Sequence, residues 1–185
     1  MSFRRAWTRF NRAPRVLLPT PGHREAWHQG RLWYYVTVIE VDDVAVNARR
    51  DALSEAVADV CVPFSHGSPH VTVFVHGFER PVLSTRENAH VELAVGGAGA
   101  FQTCVFLEVR CPELRNVRAA MTSAEERWTH YLPHLTASRF VRPAVPSEIA
   151  RRLRSFRNLP PLVTSGRLRL MAVDTHRDDG LLTPA

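Results

Sequence analysis

The chain has 185 residues, 45% hydrophobic and 23% charged, enough apolar content for one packed core and too much for a disordered segment. Its formal charge is +6, carried by 24 arginines and no lysine. No apolar run approaches the roughly 20 residues of a membrane span, and the arginine-rich start lacks a signal-peptide core, so neither anchoring nor secretion is expected and a cytoplasmic protein is.

The charge is unevenly placed. Residues 1–31 hold seven arginines and one acid, Glu25, whereas 32–185 hold 17 of each sign. The three cysteines, Cys61, Cys104 and Cys111, are odd in number and form no Cys-x-x-Cys, which points to buried reduced thiols rather than a disulfide framework.

In chain order, residues 1–30 lack clean periodicity and carry Pro14, Pro19 and Pro21; they read as a basic arm on the body, anchored by Trp7 and Trp27. The arm either holds RNA phosphates or is a solvated extension. Residues 31–185 read as one domain. Within it, 32–41 is a β-branched and aromatic strand. Asn47 is placed to cap a helix reaching Val60, with Leu53, Ala56 and Val57 inward. A motif strand at 70–75 follows a Pro/Ser/Gly loop. Residues 89–95 read as a strand, Gly96, Gly97 and Gly99 as a turn, and 101–110 as the next strand. Pro112 suits a first helical turn, and Leu114, Val117, Met121, Ala124 and Trp128 form its apolar stripe. A second motif strand begins at residue 134. Ser147 is placed to cap a short helix to Phe156, and 162–173 is the last strand. Strand, helix and motif strand thus occur twice, at 32–41, 48–60 and 70–75 and again at 101–110, 112–127 and 134–140. The fold class is α+β.

The motif is Pro-His-aliphatic-Thr: Pro69-His70-Val71-Thr72 and Pro133-His134-Leu135-Thr136. Its chance expectation is on the order of 0.01 per chain, so two copies in strand-like context are a strong signal. In a strand, alternate residues share a face, which puts His70, Thr72 and Phe74 on one side and His134, Thr136 and Ser138 on one side of the second strand. Each strand then buries one face and offers an imidazole and a hydroxyl on the other. Two histidines brought together can cleave a phosphodiester, one taking a proton and the other giving one, with no metal required. A metal reading of His66, His70 and His76 is disfavoured by their spacing and by the scarcity of nearby carboxylates.

These residues resemble the 2H phosphoesterase superfamily, the bacterial 2′-5′ RNA ligase and cyclic phosphodiesterase proteins. The resemblance spans most of 31–175. Phe101 to Arg110 is similar to the family's strand before the second motif, and Pro112 to Trp128 to its helix. Arg139 matches a basic residue common after the second motif, and Gly77 a glycine after the first; Val75 and His76 stand where the family has an aromatic and an aliphatic residue.

The resemblance implies a bilobed, duplicated fold: two antiparallel-sheet lobes flanked by helices, with one motif from each lobe in a central cleft. It implies hydrolysis of 2′,3′-cyclic phosphate ends of RNA or nucleotides, or action on 2′-5′ linkages, with no cofactor. His70 and His134 are the acid–base pair in unassigned order, and Thr72 and Thr136 donate to the non-bridging phosphate oxygens. Ser138 shares the His134 face and is a substrate contact. Arg139 either neutralises phosphate or serves the surface, since strict alternation sets it opposite His134. Tyr35 or Trp33 stacks a base or packs in the core, and Phe74 lines the base pocket. Two other functions stay open: an RNA-end-binding module with little turnover, and a phosphodiesterase for another small nucleotide.

Overall fold

A computed structural model describes residues 2–19, 28–64, 68–81, 88–119, 121, 131–176 and 182–185. Five helices and eight strands occur among them. The helices are α1 (Phe3–Arg12), α2 (Val44–Glu55), α3 (Leu114–Ala119), α4 (Pro146–Arg152) and α5 (Arg154–Arg157). The strands are β1 (Trp33–Glu40), β2 (Cys61–Pro63), β3 (His70–Gly77), β4 (His90–Ala100), β5 (Cys104–Arg110), β6 (His134–Phe140), β7 (Leu162–Asp174) and β8 (Leu182–Pro184). No described helix is long and apolar enough to cross a membrane.

The strands form one eight-stranded antiparallel sheet in the order β1-β3-β6-β5-β4-β7-β8, with β2 paired to β6 off this path, and β1 also pairs with β7. The two halves suggested by the internal repeat are therefore joined. The 13-residue β7 pairs with β4 through its first half and with β1 through its second, while β3 meets β6 through Val71 and Leu135.

One face of the sheet carries Ile39, Val71, Leu93, Val105, Leu107 and Leu135, which bury with Leu53 and Val57 of the α2 region, Val117 of α3 and Ile149 of α4 in the main core. A smaller cluster of Val36, Val38, Met171 and Val173 lies on the other face.

The first 19 residues depart from the sequence reading. Rather than an aperiodic arm, α1 is a helix capped by Ser2, whose hydroxyl accepts from Arg5 N at 3.3 Å. Ala6 and Phe10 are buried, Phe10 stacks on Phe140, and Trp7 packs against the core as expected. The i, i+3, i+4, i+7 spacing of Phe3, Ala6, Trp7 and Phe10 was the available signal. Trp27 lies outside the described residues.

Other boundaries move for local reasons. Asp43, not Asn47, caps α2: its Oδ1 accepts from Val46 N at 3.0 Å, and the helix ends at Glu55 before a string of turns to residue 60. Pro146 occupies the first turn of α4, so the chain enters that helix without a side-chain cap from Ser147. Pro112 sits in a turn just before α3, and the expected stripe residues Ala124 and Trp128 lie outside the described residues. The short strands β2 and β8 had no readable pattern.

The largest correction concerns the glycines. Gly96, Gly97 and Gly99 do not turn the chain; they lie within β4, which shifts register against β5 between Val95 and Ala98. Here glycine permits close approach rather than a special φ. The α5 backbone lies on Gly97, where a Cβ would collide with the carbonyls of Phe156 and Arg157, and the Phe106 ring lies on Gly99. Gly97→Ala is expected to destabilise the fold by about 1–3 kcal/mol through overpacking against immobile backbone. Thermal melting checks this, with about 2–4 °C expected per kcal/mol at this chain length.

Candidate active site

Both motif strands are built alike. In β3, Val38 faces Thr72 and Thr37 faces Phe74, leaving Val73 as an extra residue against β1. In β6, Phe106 faces Thr136 and Val105 faces Ser138, leaving Ala137 as an extra residue against β5. Each is a β-bulge one residue after the motif threonine. Such bulges bend a strand and re-aim the side chains that follow.

The carbonyls at both bulges are held from outside the sheet. Arg118 donates to Val73 O while lying over the rings of Phe74 and Tyr131, and Tyr131 donates its hydroxyl to Thr72 O at 2.8 Å. Ala137 O accepts from Ser54 Oγ at 3.2 Å and Phe64 N at 2.8 Å. None of these supports was legible in the sequence, because each reaches its bulge from a distant segment.

The histidines are fixed in matching fashion. His70 Nδ1 lies 2.9 Å from Ser68 O, and His134 Nδ1 lies 2.7 Å from Leu132 O. A carbonyl only accepts, so each Nδ1 carries the proton and each Nε2 is left to react. In each motif the intervening proline holds the residue before it extended, and that residue supplies the carbonyl. This gives the Pro of Pro-His-x-Thr a physical role. Among the described residues, neither Nε2 and neither motif hydroxyl has a hydrogen-bond partner.

The strands β3 and β6 run antiparallel with Val71 opposite Leu135, the central residues of the two motifs. In that register His70 falls beside Thr136 and Thr72 beside His134, all on the face away from the main core. Burial lowers the pKa of both imidazoles, partly offset by the carbonyl bonds. A positive charge on Arg50 lowers His70 further, and one on His70 lowers His134 further. Their surroundings differ. His134 packs on a pair of touching rings, Phe101, edge-on at 5.1 Å, and Phe106 at 4.9 Å, with Phe3 of α1 also against Phe106. Among the described rings His70 has only Phe64, at 6.1 Å, while directly across the ladder each histidine faces a glutamate, Glu40 for His70 and Glu108 for His134.

The bulges overturn the faces assigned by strict alternation. Phe74 is 2% exposed and packs with Val71 and Val73 in the main core, so it does not line a pocket with His70. Ser138 is fully buried opposite Val105, on the face away from His134. Arg139 moves the other way: it pairs with Cys104, which shares the face of Phe106 and Glu108, so Arg139 joins the His134 face about 10 Å along the strand from Thr136.

Strand β1 has no bulge against β7, and its pairing places Tyr34, Val36, Val38 and Glu40 on the His70 face. Tyr35 therefore points away. With Trp33, Arg31 and Phe78 it lines a separate cavity of about 440 Å³. His76 lies on the core side, its Nε2 2.7 Å from Thr37 Oγ1, so it does not converge with His70; His66 lies outside the described residues. The cysteines are free thiols, with burial pushing Cys61 up to about 12 and Cys104 up to about 11.

No protein-family model matches the sequence, and no curated protein does. Among solved structures, the chain is similar to TT0787 of Thermus thermophilus, at 16% identity over 76% of this chain and 87% of that one, with a TM-score of 0.44.

Proposed function

We propose that this chain is a metal-independent phosphodiesterase of the two-histidine type, opening 2′,3′-cyclic phosphate ends of RNA or nucleotides. The observation that carries the reading is the Val71–Leu135 pair, which sets the two His-x-Thr motifs head to tail on one face, each imidazole with Nδ1 tied to a carbonyl and Nε2 open.

In the forward direction one neutral Nε2 accepts a proton from the attacking water as its oxygen bonds to phosphorus. The other imidazole, protonated at Nε2, gives its proton to the ribose oxygen as that P–O bond breaks. Thr72 and Thr136 donate to the two non-bridging oxygens as charge builds on them, a contribution of roughly 2.7–4 kcal/mol for a well-placed donor. With a 5′-hydroxyl in place of water as nucleophile, the same exchange joins two ends through a 2′-5′ linkage as the ribose 3′ oxygen leaves with the proton, in keeping with the resemblance to 2′-5′ RNA ligases.

The test is incubation of the purified chain with each of the four 2′,3′-cyclic mononucleotides in excess EDTA, with products resolved by chromatography. Turnover to nucleoside 2′-phosphate, unaffected by EDTA, is expected. No product from any of the four, or activity abolished by EDTA and restored by a divalent cation, overturns the reading.

A second reading, RNA-end binding with little turnover, draws on α1. Opposite its apolar stripe, Arg5, Arg9 and Arg12 lie exposed along one side, with no acid in the helix. Tight binding of cyclic-phosphate RNA without product, weakened and made less salt-dependent when Arg5, Arg9 and Arg12 are replaced by Gln, favours that reading.

A further inference from the structure

On the motif face, next to His70, lies a cavity of about 250 Å³ lined by Glu40, Ser68, Arg169, Met171, Leu182 and Pro184. Glu40 is the cross-strand partner of His70, and Ser68 supplies the carbonyl that fixes the His70 ring, so the cavity belongs to the same constellation. Its volume is near the lower end for ligand pockets, suited to one flat ring system rather than a dinucleotide.

Its walls are of two kinds. Met171 and Leu182 extend from the small apolar cluster, and Pro184 closes the side formed by β8. Across from them stand a carboxylate and a guanidinium. Arg169 Nε is 3.2 Å from Glu40 Oε2, yet this buried N–H lacks the alignment of a hydrogen bond and has no other acceptor among the described residues. The rest of the pair stays open: the Arg169 side chain is 31% exposed and that of Glu40 24%, so each keeps polar surface for a ligand.

We infer that this cavity is a nucleobase subsite selective for guanine. This deepens the phosphodiesterase reading and rests on it for the placing of a phosphate at His70. Guanine presents N1–H and N2–H₂ side by side, a donor pair that the two oxygens of Glu40 accept together. Its O6 and N7 follow on the same side as acceptors, the atoms a guanidinium reads. Adenine, cytosine and uracil lack the adjacent pair of ring and exocyclic donors. Met171, Leu182 and Pro184 give the flat faces of the base an apolar surface.

Binding of 2′-GMP, 2′-AMP, 2′-CMP and 2′-UMP, the products of the proposed reaction, tests this by calorimetric titration and does not depend on turnover. The expected result is 2′-GMP binding about tenfold tighter than the others, with that preference lost in Glu40→Gln and in Arg169→Met. Leu182→Trp, which fills the cavity from the chain's last strand, is expected to remove the preference while leaving the phosphate contacts in place. Equal affinity for the four nucleotides overturns the subsite, as does a guanine preference unchanged in Glu40→Gln and Leu182→Trp. Guanine-selective binding with no turnover of any cyclic nucleotide sustains the subsite and removes the hydrolase. Turnover of all four at equal kcat/KM with unselective binding does the reverse.

Discussion

Replacing either His70 or His134 by alanine is expected to lower kcat/KM for a 2′,3′-cyclic nucleotide by about 10²–10⁴-fold. Replacing both is expected to cost little more than replacing one. Each imidazole completes only half of a proton exchange, and the remaining half has no route once its counterpart is gone. Groups that act as a unit are strongly non-additive in this way. The loss corresponds to about 3–5 kcal/mol of barrier per variant. Folding is separable, because each ring is only partly buried and hangs from strand backbone that the substitution leaves paired. Melting temperatures close to that of the parent, together with lost turnover, are the expected pairing. Either single variant within threefold of the parent, or losses that multiply in the double variant, would sink the two-histidine mechanism.

The sequence carried the motifs and most of the elements that hold them. Regular strands such as β1 and β5 were legible because β-branched and aromatic residues are dense there. The candidate catalytic residues stood out because two rare tetrapeptides repeat. What alternation could not deliver was the fate of side chains beyond the threonines. Val73 and Ala137 look like ordinary strand residues, and only their partners across the ladder reveal them as bulges. Since one extra residue reverses the face of everything after it, strict alternation puts Phe74, Ser138 and Arg139 on the wrong side through the same omission. The aromatic on β1 goes astray for a different reason. Tyr35 and Trp33 share one face of β1, and which face meets Thr72 is set by tertiary pairing. The glycines of β4 mislead because a glycine cluster reads as a turn, whereas here it clears space for the α5 backbone and the Phe106 ring.

The matched bulges have a mechanistic consequence. By reversing the face after each threonine, they send Phe74 and Ser138 into the core and leave each motif with a half-buried imidazole and hydroxyl on the other face. Arg118 and Tyr131 on one side, and Ser54 and Phe64 N on the other, satisfy the carbonyls that a bulge would otherwise strand. The imidazoles and hydroxyls are thereby placed by backbone pairing rather than by long side chains, which favours preorganisation for the proposed reaction.

The pH dependence of kcat/KM follows from the two imidazoles. The competent free enzyme holds one of them neutral and the other protonated. Below both pKa values there is no base, and above both there is no acid. Burial lowers both from the ordinary histidine value of 6.5, and each proton opposes the other, so the pair titrates in two steps on the acid side of that value. The kcat/KM profile is therefore expected to be a bell with its maximum below pH 6.5, falling about tenfold per unit once pH exceeds the upper step. Bound phosphate favours the protonated imidazoles, so the kcat profile is expected to lie at higher pH than that of kcat/KM. Stability falls throughout the acid side, whereas kcat/KM first rises to its maximum and only then falls. His70, His76 and His134 all have folded-state values lowered by burial. The unfolded chain thus binds more protons below 6.5; stability is full above that value and is lost as pH falls through the folded values. Thermal melts across the same range separate the two effects, since the acid limb of the bell counts only where the fold persists. A kcat/KM that is flat from about pH 5.5 to 8, or that peaks above about 7 in a folded enzyme, would contradict the assignment of these two histidines as acid and base.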